Sequence, residues 1–397
     1  MKIIILSNQA RSMSNFWSVL IRRMRAAGHT VVCAAPPGDA AAEASLRALG
    51  AEIVTYPLDR KGLNPLRDAE SFFALLRLFR AQRPDLLFAT TIKPVIYGCL
   101  AARAAGVPHV YATITGLGYA FEADSFFKKC VNRLGVLLYR LALSHVSGVF
   151  FQNQDDIRVF REQGILSPGA RVLTARGTGV DTARFAPAPF PPLPPEGPVI
   201  FLLVGRLLEA KGLAEYAESG RLLRARGADC RLQLLGPPET GLGGVAMEQI
   251  HRWESEGLLE YLGETRDVRP YIAGCHVLVL PSWREGTPTA VMESMSMGRP
   301  AIVTDVPGCR EVVRDGVNGW LTPPRDPGAL ARAMERFVRE PADIARMGAA
   351  GRELALAEFD AETVAGRILR DMDVPQAPDG APHVPADAAP EGKGVQS

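Results

Sequence analysis

The chain has 397 residues, of which 47% are hydrophobic and 22% are charged, and its formal net charge at pH 7 is +2. A chain of this length and composition can bury substantial hydrophobic cores, and its length favours two domains over one. The small net charge and the lack of long lysine- and arginine-rich runs argue against nucleic acid as the default partner.

The cysteines and the amino terminus bear on the cellular compartment. The six cysteines are scattered, with no CxxC pair and no histidine at ligand spacing, so neither a disulfide framework nor a zinc site is indicated. The first apolar run, "KIIIL", is too short for a signal peptide. No stretch reaches the roughly 18 apolar residues that span a bilayer. The sequence therefore predicts a cytoplasmic protein with reduced thiols.

In the first half of the chain, apolar β-type runs alternate with helical patterns. The predicted elements are strands at 2–6, 29–35, 51–57 and 85–90, with helices at 16–27, near 40–49 and near 68–81 between them. This alternation is typical of a parallel sheet covered by helices. We therefore predict a Rossmann-like domain over residues 1–185.

The alternation stops at 186–198, "APAPFPPLPPEGP", where closely spaced prolines exclude helix and central strand and predict a linker. It then resumes. Strands are predicted at 199–206, 231–236, 259–263, 276–282, 300–306 and 319–324, and helices near 212–226, 246–256 and 289–297. This pattern predicts a second Rossmann-like domain at 199–355, followed by a helix at 356–373 that packs back on the first domain. The Pro-, Ala- and Gly-rich tail at 374–397 is expected to be disordered.

The stretch "SWREGTPTAVMESMSMGRPAIVTD" places two glutamates around the start of one predicted helix. Thr287 is expected to cap this helix, Pro288 to occupy its first position, and Gly298 to adopt the left-handed conformation after its end. A helix that follows a parallel strand begins at the ligand-binding edge of the sheet. Glu285 and Glu293 are thus candidate ligand-binding residues, although a dipole partner and a surface charge are the simpler alternatives.

A second candidate turn is "VGRLLEAKG", at the end of the first strand of the second domain. Arg206 follows that strand directly, and Lys211 precedes the next helix. A planar guanidinium and an ammonium at the same sheet edge are suited to bind a diphosphate. The alternative is a pair of solvated loop cations.

Taken together, these segments resemble the retaining GT-B glycosyltransferases of family 4, which use nucleotide-diphospho-sugar donors. The motifs that carry the resemblance are "VGRLLEAKG", the E-x7-E pair of Glu285 and Glu293, "LGETRDV" at 262–268 and "GTGVDTARF" at 177–185. The resemblance covers residues 1 to about 372 and implies an α/β fold of two Rossmann-like domains whose parallel sheets face each other across a cleft.

The resemblance also implies roles for single residues. Glu285 would face the donor sugar, Arg206 and Lys211 would hold the diphosphate, and Glu293 would accept the ribose hydroxyls. Residues near Asp267 would contact the base through their backbone. The implied catalytic residues are Glu285, Arg206 and Lys211. The full implied donor site is Gly205, Arg206, Lys211, Asp267, Val268, Glu285, Gly286, Thr287, Pro288 and Glu293.

The acceptor is expected to bind the first domain, which looks most like bacterial members that extend undecaprenyl-diphosphate-linked sugars. This implies a UDP-sugar donor, UDP-GalNAc or UDP-GlcNAc. The segment "FATTIKPVIYG" lacks the histidine of many relatives and has Lys93 nearby. Lys93 is a candidate ligand of an acceptor phosphate or of the donor, and the alternative is a capping lysine before a helix that starts with proline. The candidate acceptor residues are Asn64, Lys93, Thr115, Gly116 and Gly118.

No cofactor or metal is expected, because the fixed cations can stabilise the leaving diphosphate and no DxD motif is present. Residues 121–140 combine aromatic, aliphatic and basic side chains, among them Phe126, Phe127, Lys128 and Lys129. They predict either an interfacial helix at the inner face of the plasma membrane or an ordinary sheet-covering helix. Two other functions stay open: a nucleotide-sugar 2-epimerase of the same fold, and a non-catalytic nucleotide-sugar-binding protein.

Overall fold

The computed structural model describes residues 1–60, 62, 64–116, 126–241 and 243–377, and only the backbone of residues 126–131. The chain divides into two compact units. Unit 1 comprises residues 1–175 and the segment from 365 onward, and unit 2 comprises residues 176–364. Each unit is built on its own parallel sheet.

Unit 1 has a seven-stranded sheet in the order β3-β2-β1-β4-β5-β6-β7, with all pairs parallel. The strands are β1 (Lys2–Leu6), β2 (Thr30–Ala35), β3 (Glu52–Thr55), β4 (Leu86–Thr90), β5 (His109–Ile114), β6 (Gly148–Phe151) and β7 (Val172–Thr174). The helices before unit 2 are α1 (Ala10–Phe16), α2 (Ser18–Ala26), α3 (Ala40–Ala48), α4 (Pro65–Gln82), α5 (Ile92–Ala105), α6 (Phe126–Leu143) and α7 (Gln154–Glu162). The helix predicted at 16–27 is present as α2, whereas the preceding helix α1 was not predicted. The two helices are separated at Trp17, whose buried ring packs edge-on against Phe88.

Unit 2 has a six-stranded parallel sheet in the order β10-β9-β8-β11-β12-β13. The strands are β8 (Val199–Val204), β9 (Cys230–Leu235), β10 (Glu260–Tyr261), β11 (Val277–Leu280), β12 (Ala301–Thr304) and β13 (Gly319–Thr322). The helices are α8 (Leu213–Ala225), α9 (Met247–Ser255), α10 (Arg269–Ala273), α11 (Thr289–Ser296), α12 (Pro327–Arg339), α13 (Ala342–Leu354) and α14 (Ala361–Asp371), the last of which continues into unit 1. The sheet order reverses at β8 and β11, so ligands are expected at the carboxyl ends of these two strands.

The Pro-rich segment predicted as a linker lies within unit 2. The chain passes between the units at residues 175 and 176, and Val180 and Phe185 are already buried in a core of unit 2. The segment itself is bound to this unit by the buried Arg299, whose guanidinium donates to the carbonyls of Ala188 and Pro189. Burial of these apolar side chains moves the boundary about ten residues upstream of the predicted one.

The carboxyl-terminal segment also differs from the expected one. The helix predicted at 356–373 is interrupted at Asp360: residues Ala355–Phe359 form a π-helical turn, and α14 starts at Ala361. The Asp360 carboxylate accepts from Thr363 N at 3.1 Å in the first turn of α14. Val374 is buried and the Pro375 carbonyl lies 2.8 Å from His29 Nε2, so the residues just after 373 pack on unit 1. Residues 378–397 of the predicted disordered tail lie outside the described residues.

In the part of the chain that the structure describes, no helix is both long and apolar enough to cross a membrane. The five cysteines whose side chains are described are free thiols. Helix α6 is present over the predicted interfacial segment, and three of its leucines, at 134, 137 and 141, are exposed. The side chains of Phe126 to Lys129 lie outside the described residues.

Candidate active site

The loop between β11 and α11 carries the first of the two glutamates. Helix α11 begins at Thr289, with Pro288 as its N-cap residue and no side-chain cap. The prediction that Thr287 caps the helix is therefore wrong. Its hydroxyl is buried and has no hydrogen-bond partner among the residues that the structure describes. Its side chain packs closely on Gly177, since a Cβ added to Gly177 would lie only 2.9 Å from the Thr287 side chain. Gly298 is left-handed as predicted, with φ of 76°.

Glu285 and Lys211 form an ion pair, with Lys211 Nζ 2.5 Å from Glu285 Oε1. The two side chains are only 23% and 12% exposed, so water screens the pair poorly. Lys211 ends a short 3₁₀ turn after β8, and Glu285 lies in the loop after β11, the neighbouring strand. The structure thus brings together two residues that the sequence placed on separate turns of the same sheet edge.

Two glycines allow the loops of this site to pack closely. A Cβ added to Gly308, which has φ of 84°, would lie 2.1 Å from the carbonyl oxygen of Gly286 and 2.6 Å from that of Glu285. A Cβ on Gly212, with φ of 73°, would lie 2.1 Å from the carbonyl oxygen of Pro281. Both positions require glycine for conformation and for space.

Arg206 lies at the same sheet edge but points to a different partner. Its guanidinium Nη1 is 2.8 Å from Glu239 Oε2, and the Arg206 side chain is 60% exposed. Gly205, which precedes it, packs closely on the turn after β9, since a Cβ on Gly236 would lie 1.9 Å from the Gly205 carbonyl oxygen. Sequence reasoning missed Glu239, although its position after the Pro-Pro turn that follows β9 places it at the edge where ligands bind.

Glu293 lies on α11 and is partly buried. The pKa of its carboxyl is raised from 4.5 to about 7, mainly by burial; the Arg184 guanidinium partly offsets this, and the nearby Asp267 adds to the rise. Asp267 itself pairs with Arg269, at 2.7 Å between Oδ2 and Nη2, and these hydrogen bonds lower its pKa. Val268 is the N-cap residue of α10. Arg184 was not singled out, although it belongs to the "GTGVDTARF" segment.

The candidate acceptor residue Lys93 is engaged within unit 1. Its ammonium donates to the carbonyl oxygens of Asp59 and Gly62, both at 2.8 Å, and to Asp68 Oδ1 at 2.6 Å. Since an ammonium has three N–H donors, all of them have partners. The Asp68 carboxylate is also hydrogen-bonded to Tyr97, whose pKa rises mainly through desolvation. These contacts give Lys93 a structural role, because they join the β3–α4 loop to α4 and α5.

The other candidate acceptor residues occupy two loops. Asn64 caps α4 by accepting from Leu66 N at 3.0 Å. Thr115 is exposed and Gly116 has φ of 138°, both directly after β5. Gly118 lies outside the described residues.

Hydroxyl groups line the carboxyl edge of the central strands of unit 1. The register pairs Leu6 with Ala89 and Thr90 with Thr113, so Ser7, Thr90 and Thr113 form one row across β1, β4 and β5. The hydroxyls of Ser7 and Thr113 are buried and have no hydrogen-bond partner among the described residues. No sequence pattern indicates this row, because each residue is an ordinary strand-end residue by itself.

The family model described as "Glycosyl transferases group 1" matches residues 198–340, and the model described as "Glycosyl transferase 4-like domain" matches residues 13–177. The chain is a glycosyltransferase of these families. The first match lies in unit 2 and the second in unit 1. The E-x7-E pair, Arg206 and Lys211 all lie within the match at 198–340.

The transferase has curated relatives of similar length. It is 24% identical over 383 residues to N,N'-diacetylbacillosaminyl-diphospho-undecaprenol alpha-1,3-N-acetylgalactosaminyltransferase of Campylobacter jejuni, a match that covers 94% of this chain and 98% of the relative. It is 25% identical over 285 residues to UDP-Gal:alpha-D-GlcNAc-diphosphoundecaprenol alpha-1,3-galactosyltransferase of Escherichia coli, covering 70% of this chain and 72% of the relative.

Solved structures show the same fold at low sequence identity. Sucrose-phosphate synthase from Thermosynechococcus elongatus superposes with a TM-score of 0.76 at 18% identity, covering 94% of this chain and 99% of that one. HepE from Anabaena, solved in complex with UDP-glucose, gives a TM-score of 0.74 at 18% identity with the same coverage. The fold of the transferase is therefore GT-B, and the predicted fold class and enzyme class are confirmed.

Proposed function

We propose that this glycosyltransferase moves an N-acetylhexosamine from a UDP-sugar to an undecaprenyl-diphosphate-linked sugar, with retention of configuration and without a metal ion. The observation that carries the proposal is the Lys211–Glu285 pair beside Arg206 at the carboxyl edge of unit 2. The two relatives named above support the acceptor class, since both names specify a diphospho-undecaprenol-linked sugar.

The donor diphosphate is proposed to bind by exchanging partners with the two carboxylates. Lys211 is paired with Glu285 and Arg206 with Glu239, so both cations have carboxylate partners before the donor arrives. A diphosphate carries more charge than a single carboxylate and accepts several charge-assisted hydrogen bonds. When it takes the two cations, the Glu285 carboxylate is released to accept hydroxyl groups of the donor sugar. The same cations then stabilise the charge that develops on the leaving UDP.

The nucleoside is proposed to bind next to α11. An ionised carboxylate can accept hydrogen bonds from both ribose hydroxyls, and the Glu293 carboxylate is proposed to do so. The Asp267 side chain is held by Arg269, and the Asp267 backbone N–H and carbonyl oxygen both pair with Thr265 Oγ1 at 3.0 Å. The base is therefore proposed to contact the backbone at Val268. The amino-terminal N–H groups of α11 lie next to the loop of Glu285, and N–H groups at a helix start favour binding of an anion.

The acceptor is proposed to bind unit 1 through Thr115, Gly116 and the adjoining hydroxyl row. The buried hydroxyls of Ser7 and Thr113 lack hydrogen-bond partners in the described part of the chain and are suited to hydroxyl and amide groups of a sugar. Lys93 and Asn64 would act indirectly, by fixing the β3–α4 loop and the start of α4.

Contact with the membrane is proposed to involve α6. The exposed Leu134, Leu137 and Leu141 lie three and four residues apart, so they share one face of the helix, with the exposed Arg133 and Arg140 beside them. Apolar side chains flanked by cations favour an anionic bilayer surface. Replacing the three leucines by serine should lower sedimentation with anionic vesicles and slow transfer to a long-chain acceptor. Transfer to a short-chain acceptor should be unaffected, and unchanged vesicle binding would contradict this part of the proposal.

The test of the proposed function is a panel of nucleotide sugars, assayed for UDP release and for sugar transfer with and without a short polyprenyl-diphosphate-linked sugar, in the presence of EDTA. Transfer only with acceptor, undiminished by EDTA, is expected. A 2-epimerase would instead convert the donor without an acceptor, and a binding protein would bind UDP without turnover. Inhibition by EDTA would overturn metal independence, and the anomeric configuration of the product would test retention.

A further inference from the structure

We infer that Trp283 is a positioning residue for Glu285: it fixes the β11–α11 loop against α8, so that the Glu285 carboxylate stays at the position where the donor sugar binds. The inference rests on the proposed function and extends it to a residue outside the implied donor site. It is carried by contacts of the Trp283 backbone, of its indole N–H and of its ring, each with a different partner.

The backbone of Trp283 ties the loop of Glu285 to the turn of Lys211. Its N–H donates to the carbonyl oxygen of Ala210 at 2.9 Å, directly before Lys211. Next to this bond, Gly212 approaches the Pro281 carbonyl so closely that a side chain would not fit. The two turns therefore touch at the backbone as well as through the Lys211–Glu285 ion pair.

The indole N–H binds the helix that follows Lys211. Trp283 Nε1 donates to Glu215 Oε1 at 2.8 Å, and Glu215 lies in the first turn of α8. The other oxygen, Glu215 Oε2, is buried and has no hydrogen-bond partner in the part of the chain described. Trp283 is therefore the neighbour that holds this carboxylate in place, and the bond fixes the direction of the indole.

The ring of Trp283 is covered from the turn between β13 and α12. The guanidinium carbon of Arg325 lies 4.0 Å from the ring centroid, within the range of a cation–π contact. Arg325 adopts φ of 59°, a left-handed conformation that is uncommon outside glycine and costs energy. The surrounding turn holds this conformation, and it places the guanidinium over the ring. Helix α8, the loop of Glu285 and the Arg325 turn are thus joined at one side chain.

The chain offers a matched control in Trp320, which is also in unit 2, is also partly buried and has the Arg336 guanidinium carbon 4.5 Å from its ring centroid. Trp283→Ala and Trp320→Ala remove similar rings and similar cation–π contacts. Trp283→Phe keeps a ring under Arg325 but removes the N–H donor to Glu215. Each variant is compared with wild type for kcat, for thermal unfolding, and for the affinities of UDP and of a UDP-sugar by calorimetry.

Because the position of Glu285 concerns the sugar and not the diphosphate, Trp283→Ala should lower kcat by about 100-fold, the scale expected for a displacement near 1 Å. It should remove the affinity that the sugar adds to UDP, while UDP itself binds within about threefold of wild type. Trp283→Phe should show a smaller loss in kcat of about tenfold. Trp320→Ala should lower the unfolding temperature without these effects.

The outcomes separate the inference from the proposed function. Wild-type kcat and wild-type sugar-dependent affinity in Trp283→Ala would overturn the inference alone. Parallel losses of UDP affinity and kcat in both alanine variants would also overturn it, since they indicate a general structural role. A wild-type protein that binds a UDP-sugar without turnover would overturn the proposed reaction, and the affinity measurements would still test Trp283. A wild type that neither binds nor turns over any UDP-sugar would overturn both.

Discussion

Replacing Glu293 by glutamine is expected to stabilise unit 2 at alkaline pH and to leave it nearly unchanged at acidic pH. Burial raises the pKa of the Glu293 carboxyl from 4.5 to about 7. A carboxyl with a raised pKa in the folded state binds more protons there than in the unfolded chain. Its contribution to stability is therefore complete below pH 4.5 and is lost as the pH rises through 7.

The size of the effect follows from the same values. Each pKa unit corresponds to about 1.36 kcal/mol, so ionising Glu293 in the folded protein costs on the order of 3 kcal/mol above pH 8. The neutral amide of Glu293→Gln avoids this cost. We therefore expect the variant to exceed wild type in unfolding free energy by up to about 3 kcal/mol at pH 8, with the difference vanishing towards pH 4.5.

The assay is urea denaturation between pH 4.5 and 8.5, followed by tryptophan fluorescence. Three of the four tryptophans, Trp253, Trp283 and Trp320, lie in unit 2, so the signal reports mainly on that unit. The exposed Glu311 provides a control, since Glu311→Gln removes the same formal charge from a side chain that is in contact with water. Parallel pH profiles for wild type and Glu293→Gln would refute the reasoning.

Three further predictions follow from single contacts. Gly308→Ala should displace the Glu285–Gly286 backbone and lower transfer by at least tenfold. The control is Gly316→Ala, which is also left-handed but whose added Cβ would lie 3.7 Å from the Trp320 ring, and it should lower stability alone. Equal activities of the two variants would contradict the close approach of Gly308 to the Glu285–Gly286 backbone. Lys93→Met should destabilise unit 1 by about 2–4 kcal/mol in denaturation experiments, because it leaves Asp68 without its cation and two carbonyls without a donor; unchanged stability would return Lys93 to the role of a ligand residue. Arg206→Ala should raise the Kd for UDP by at least tenfold through loss of a charge donor, and unchanged UDP binding would remove Arg206 from the diphosphate site.

The strand–helix alternation was sufficient to predict the six strands of unit 2 and the first four strands of unit 1, because parallel strands buried on two faces appear as continuous apolar runs. Strands β5, β6 and β7 were not predicted. The proximity of Lys211 and Glu285 was also predictable, since residues that follow neighbouring parallel strands meet at one sheet edge. The left-handed Gly298 followed from local helix-end chemistry.

The remaining features depend on contacts between residues far apart in sequence. The unit boundary lies at 175 because Val180 and Phe185 are buried in unit 2, which no local composition indicates. Lys93 is held by partners 25 to 34 positions away. Glu239 and Arg206 are separated by 33 positions. Such side-chain pairs are decided by packing, so a single sequence does not specify them.

The proposed reaction and the role of Glu285 are tested most directly by comparing wild type with Glu285→Gln. The quantity measured is the initial rate of N-acetylhexosamine transfer from a UDP-sugar to a short polyprenyl-diphosphate-linked sugar. The variant removes the negative charge that pairs with Lys211 at 2.5 Å, and with it the carboxylate proposed to hold the donor sugar. We expect transfer by wild type and a loss of at least 100-fold in the variant, with UDP binding retained because Lys211 and Arg206 are intact. Transfer at the wild-type rate by Glu285→Gln would contradict the role proposed for Glu285.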